Sequence, residues 1–142
     1  GNNVTDAGGQ YDQYYEENGW WGYYSSSWTE AQGDGIHVEN SDYTIIGGSD
    51  EGAANVVTNS AENGIFVQDS DFIVVDHNDV SESGANGIYV DPSDYASITG
   101  NPVNDSGENG IFLDYGIEGF IGGNTVDDSN DDGIRVRQNH GV

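Results

Sequence analysis

Apolar residues in this chain recur in pairs two positions apart, and the pairs return at a fixed interval. The most regular mark is a Gly-Ile step at Gly35-Ile36, Gly64-Ile65, Gly87-Ile88, Gly110-Ile111 and Gly133-Ile134, with spacings of 29, 23, 23 and 23 residues. Counted from the residue before each glycine, the units start at Asp34, Asn63, Asn86, Asn109 and Asp132. A six-residue insertion, Ser49 to Ala54, accounts for the long first interval and restores every later position. Position three then reads Ile36, Ile65, Ile88, Ile111, Ile134, and position five reads Val38, Val67, Val90, Leu113, Val136. Position thirteen is Ile46, Val75, Ile98, Ile121, and position eighteen is Val57, Val80, Val103, Val126. Residues two apart on a strand face the same way, so positions three and five point inward together. These four columns are the expected core.

Polar columns repeat with the same period. Position sixteen is Asn55, Asn78, Asn101, Asn124, and position twenty-one is Ser60, Ser83, Ser106, Ser129. A polar residue that returns once per coil beside inward valines suits a ladder in which each side chain donates to one neighbour and accepts from the other, so that a bend is buried without orphaned groups. The Asn or Asp before each Gly suits a tight turn at positive φ. Helices are excluded by the spacing of two, the β-branched residues and the frequent Gly and Asn. The expected fold is therefore all-β: a parallel β-helix, or solenoid, of about four to five coils with a 23-residue period over residues 34–142.

Units such as Asn86-Gly87-Ile88-Tyr89-Val90, Ser93-Asp94-Tyr95 and Ile98-Thr99-Gly100-Asn101-Pro102-Val103 resemble the right-handed parallel β-helix repeat of pectate-lyase-like proteins, alginate epimerases and NosD-type carbohydrate-binding and sugar-hydrolysis domains. The resemblance runs from Asp34 to Val142. It implies the fold strongly and the function weakly, because this scaffold carries lyases, hydrolases, epimerases, adhesins and fibres.

Residues 1–33 do not repeat. They hold all three Trp (Trp20, Trp21, Trp28) and five of the nine Tyr. An end coil exposes its interior and its unpaired strands, so an aromatic-rich cap is one reading. An arm docked on a neighbouring subunit and a sugar-stacking platform are the others. The last coil reaches only eleven of its 23 positions at Val142, and the expectation drawn from this is that another molecule or further chain covers it.

Charge narrows the function. Lys and Arg total 2 against 26 Asp and Glu, a net −24, which repels nucleic acid and anionic membranes. Sixteen aromatic residues and regularly placed Ile and Val argue against a disordered acidic chain. Screening by molar salt, where the Debye length falls to roughly 3 Å, points to a high-salt source. There is no Cys and no Met, which removes disulfides, thiol nucleophiles and thiolate metal sites. A start at Gly1 fits removal of a signal peptide and an extracellular or cell-surface location. Asn3-Val4-Thr5 and Asn104-Asp105-Ser106 are glycosylation sequons.

Candidate chemistry is sparse. The resemblance to pectate lyases implies an Arg or Lys base beside bound calcium, and the chain offers only Arg135 and Arg137. Asp131-Asp132 and His140-Gly141 are similar to two polygalacturonase signatures, whose companion Asn-Thr-Asp and Arg-Ile-Lys motifs are missing. His37, His77 and His140 fall in different columns and read as solvated surface residues. Position nine, with Asp42, Asp71 and Asp94, stacks like charges at roughly 4.8 Å, either screened by salt or bridged by calcium or sodium. Position four, with His37, Phe66, Tyr89, Phe112 and Arg135, faces outward as an aromatic stripe suited to sugar stacking, subunit packing or coverage by the N-terminal arm. No catalytic residue set and no resident cofactor is expected. The chain reads as a non-enzymatic structural protein that self-associates end to end into a fibre or sheath, with a polysaccharide-binding module as the alternative.

Thermal stability is expected to rise with sodium chloride up to molar concentration, because −24 opposes compaction until screened. Melting followed by circular dichroism across a salt series checks this; a flat or falling midpoint counts against it.

Overall fold

The computed structural model describes residues 3–5, 13–17, 20–24 and 33–141. Sixteen strands and no helix occur among them: β1 (Asn3–Thr5), β2 (Gln13–Glu17), β3 (Trp20–Tyr24), β4 (Ile36–Glu39), β5 (Ile45–Gly47), β6 (Val56–Ser60), β7 (Ile65–Gln68), β8 (Val74–Asp76), β9 (Asp79–Ser83), β10 (Ile88–Val90), β11 (Ser97–Thr99), β12 (Pro102–Ser106), β13 (Ile111–Ile117), β14 (Phe120–Gly122), β15 (Thr125–Ser129) and β16 (Ile134–His140). Each full coil contributes three strands, one to each of three sheets, in the orders β16-β13-β10-β7-β4-β2-β3, β14-β11-β8-β5 and β1-β6-β9-β12-β15. Neighbouring coils pair in parallel with like on like: Ile36, Ile65, Ile88, Ile111 and Ile134 are successive register partners. The chain is a parallel β-solenoid, as the spacing predicts.

The insertion at 49–54 is a surface turn closed by the Ala53 amide donating to the Asp50 carbonyl at 2.9 Å. Register resumes at Asn55. The core contains the four expected columns and a fifth at position eleven, where Thr44, Ile73 and Ala96 are 3%, 0% and 1% exposed. Ile134 and Val136, read from the sequence as core, are exposed because no strand stacks beyond β16 among the described residues.

The N-terminal strands continue the chain's own sheets. β1 lies parallel to β6, and β2 pairs with β4 at Gln13 and His37 and with β3 in an antiparallel ribbon. Trp20 and Trp21 lie on β3; Trp28 lies outside the described residues.

The asparagine ladder at position sixteen is present and buried. Nδ2 of Asn55 donates to Oδ1 of Asn78 at 2.8 Å, Asn78 to Asn101 at 3.1 Å, and Asn101 to Asn124 at 2.9 Å. The same oxygens accept backbone amides, and Nδ2 of Asn78, Asn101 and Asn124 also reaches the carbonyls of Ile46, Val75 and Ile98. A second ladder runs through position one: Nδ2 of Asn63 donates to Asp34 at 2.8 Å, Asn86 to Asn63 at 3.0 Å, and Asn109 to Asn86 at 2.8 Å.

Two expectations are corrected here. Position one is not a positive-φ turn; left-handed residues instead recur at positions ten and twenty, as Tyr43, Phe72, Tyr95 and Glu118, and as Asn59, Glu82, Asp105 and Asp128. The following glycine is needed for space: a Cβ on Gly87 would lie 2.3 Å from a Val103 methyl and 2.7 Å from the Gly110 carbonyl. Nor does the serine column form a ladder. The buried Oγ atoms of Ser60, Ser83, Ser106 and Ser129 have no hydrogen-bond partner among the described residues, because a hydroxyl is too short to span one rung.

Asn101→Leu should cost about 1–3 kcal/mol, since it strands the amide groups of Asn78 and Asn124, while Asn104→Leu at an exposed site should cost little. Denaturant melts of the two variants check the difference; equal midpoints would show that the ladder contributes nothing.

Candidate functional site

The outer surface of the longest sheet carries the most concentrated chemistry. Positions three and five of each strand are buried, so positions four and six face outward in two parallel rows. Rings in the first row stack at rung spacing: Phe66 to Tyr89 at 5.1 Å and 17°, Tyr89 to Phe112 at 4.9 Å and 10°, with His37 edge-on to Phe66 at 4.9 Å. Arg135 closes the far end of the row, its guanidinium carbon 5.3 Å from the Phe112 ring centre. The stripe expected at position four therefore exists, yet it is only half open: Phe112 is 9% exposed. Each ring face is covered by the next ring, which suits cohesion between coils and leaves edges outward.

The second row brings together residues that no sequence motif marks. Asp91 and Asp114 follow the register-paired Val90 and Leu113 on adjacent strands, and Arg137 pairs with Asp114 on the next. Asp114 is fully buried. Both its oxygens meet Arg137, Oδ1 accepting from Nε at 2.9 Å and Oδ2 from a terminal guanidinium nitrogen. The guanidinium lies 5.4 Å from the Phe112 ring centre and 5.5 Å from that of Tyr115. Tyr89 donates its hydroxyl to Asp91 Oδ2 at 2.8 Å. Burial lifts the Asp91 carboxyl above the ordinary carboxylate value and the charge of Asp114 adds to this, while the Tyr89 hydrogen bond and Arg137 oppose it. Burial likewise raises the Tyr89 phenol, helped by its bond to Asp91.

Two carboxylates one rung apart, one of them with a raised pKa, have the makings of an acid–base pair. Here the second carboxylate is closed to a substrate: Asp114 has no exposed surface and Arg137 occupies both oxygens. The arrangement works as a clasp, in which the pair at position six holds the β16 rung to β13.

Position nine is a ladder of another kind. Asp42 Oδ1 accepts the Asp71 amide at 2.9 Å, Asp71 accepts the Asp94 amide at 2.9 Å, and Asp94 accepts the Ile117 amide at 3.0 Å. One oxygen of each of these carboxylates binds backbone of the next coil. Asp71 and Asp94 also line a shallow groove of about 320 Å³ with Asp69, Pro92 and Ser93. Among the described residues no group of three or more His, Asp or Glu is arranged to hold a metal ion. An exposed aromatic stack, missed in the sequence, adjoins this ladder: Tyr43 to Phe72 at 4.8 Å and 3°, and Phe72 to Tyr95 at 4.7 Å and 5°. The signal was available as position ten, next to the aspartates.

The remaining candidates are dispersed. His37 is not a solvated residue: Nδ1 lies 3.1 Å from Asp34, and Nε2 is buried without a hydrogen-bond partner among the described residues. His77 is half exposed, with Nδ1 2.8 Å from Asp76, whose carboxyl is lowered chiefly by the Thr99 hydroxyl at 2.6 Å. Asp132 and His140 lie at opposite ends of β16, so the pair resembling polygalacturonase signatures is not assembled. Of the sequons, Asn104 is exposed on β12 and Asn3 lies on β1.

A model of the family described as right handed beta helix region matches residues 14–142. The chain belongs to the right-handed β-helix family. Comparison with curated proteins and with solved structures gave no match. Family membership fixes the winding of the coils and nothing about a reaction, since enzymes and non-enzymes share it.

Arg137→Ala should lower the melting temperature well beyond Arg135→Ala, because it leaves the buried Asp114 charge without its partner. Adding Asp114→Asn to Arg137→Ala should recover part of the loss. Thermal melts of wild type, Arg135→Ala, Arg137→Ala, Asp114→Asn and the double variant check the clasp; additive effects of the two clasp substitutions would remove it.

Proposed function

We propose that this chain is a structural β-helix protein of the cell surface or extracellular space, built to keep its shape in high salt and to assemble with copies of itself. The observation that carries the reading is where the recurring side chains spend their bonding capacity. Two amide ladders, the position-nine carboxylates and two ring stacks all bond one coil to the next. Asp114, the most buried acid, is spent on Arg137. The lower side of each coil is complementary to the upper side of a like coil, so lengthwise stacking of rungs is the form of growth the interior favours. Outward acids keep such a particle soluble, and molar salt screens their repulsion.

Polysaccharide binding is the competing reading. Stacked rings with covered faces give it little, because a sugar stacks on an open face.

Light scattering and electron microscopy in rising sodium chloride test the proposal. Particles larger than one chain, growing with salt, are expected, with no retention on polysaccharide resins. Strictly monomeric protein at every salt concentration overturns it, and saturable binding to a polysaccharide would put the alternative in its place.

A further inference from the structure

The face formed by β5, β8, β11 and β14, together with the corner that precedes it, differs from the rest of the surface. Tyr43, Ile45, Phe72, Tyr95, Ile117 and Phe120 are 71%, 58%, 41%, 39%, 39% and 59% exposed there. The outward positions ten, twelve and fourteen of the four coils include only two acids, Asp76 and Glu118, in a chain that holds 26; Asp42, Asp71 and Asp94 border the face at position nine, each with one oxygen held by a backbone amide of the next coil. The sheet of β6, β9, β12 and β15, by contrast, turns Asp79, Glu82, Asp105, Asp127 and Asp128 to solvent.

This apolar face is also regular and preset. The Tyr43, Phe72 and Tyr95 rings are stacked at 4.8 and 4.7 Å, each parallel to its neighbour to within 5°, so they present an even row of ring edges. Phe120 lies across Gly122, where a Cβ would come 2.8 Å from its ring. All three corner aromatics hold left-handed backbone, with φ of 58°, 56° and 57°. Bulky residues rarely adopt that conformation, and alternatives of small polar type would fit it better. Rigid, exposed, stacked aromatic groups lose little entropy on being covered.

We propose that this face pairs two copies of the chain side by side, sheet against sheet. The inference rests on the self-assembling reading above and names the surface that carries it. Charge selects the occupant. A basic partner would be drawn to the acidic faces, whereas outward positions ten, twelve and fourteen carry only two of the chain's 26 acids, so a second copy meets little repulsion there once molar salt screens the rest. Area agrees. At about 150–250 Å² for a large side chain, the six residues expose on the order of 600 Å² per copy. Two copies then bury about 1,200 Å², the lower end of stable specific interfaces. Sheets packed face to face stand about 10 Å apart, a gap that rows of projecting ring edges from the two copies can fill.

Sedimentation velocity in molar sodium chloride tests the pairing. Wild type is expected to sediment as a dimer or as units built from dimers. Phe72→Asp/Phe120→Asp should lose lateral pairing, while Asn104→Asp/Thr125→Asp, which adds equal charge to the β6–β15 sheet, should keep it. Phe72→Ser, which adds no charge, should weaken pairing at least tenfold while still melting cooperatively, at a somewhat lower midpoint because it interrupts the ring stack. If the face variants associate like wild type, or the control pair loses association as fully as they do, the face is wrong and self-assembly stands. A wild type that is monomeric in molar salt overturns both.

Discussion

Parallel stacking at one rung spacing is the constraint on which the rest of this molecule depends. Once backbone hydrogen bonds fix each coil against the next, every side chain faces the residue at its own position one coil away, and only residues tolerant of their own neighbours can occupy a column. Ile and Val meet that condition by packing, Asn by donating and accepting at once, and aromatics by stacking. Asp meets it at position nine because one oxygen is engaged by the next backbone amide. At position one Asp34 starts the ladder as an acceptor that no other residue need follow.

Glycine serves the same constraint. Its column beside position one leaves room for a valine methyl and a carbonyl from neighbouring turns, so the coil can close tightly enough for the three sheets to share one interior. The strain appears elsewhere, at corners where Tyr, Phe, Asn, Asp and Glu hold left-handed backbone. These residues keep that conformation because the bonds on either side of the corner over-determine it.

Sequence made the fold legible because the register is periodic and the core columns are uniform. Ile65, Ile88 and Ile111 announce one another. Position eleven escaped because Thr44, Ile73 and Ala96 differ in type, and burial there follows from the bend rather than from a repeated residue. The serine column misled because recurrence alone does not say whether a side chain is long enough to reach its neighbour. The clasp of Asp114 and Arg137 was hidden for a different reason: it departs from its column, and only the paired strands show that the acid is covered. The ring stack of Tyr43, Phe72 and Tyr95 was readable as a column but sits at a corner, where alternation no longer tells inward from outward.

The two amide ladders run in opposite senses. At position sixteen each Nδ2 points to the later coil, and at position one each points to the earlier coil. Their dipoles therefore oppose one another along the axis, and a long stack accumulates little axial field from its amides. A cross-section still has a direction, because it offers an acceptor in one ladder and a donor in the other. Turned upside down with each ladder over its own kind, a coil would present donor to donor and acceptor to acceptor, so the ladders act as a polarity key against that inverted layer.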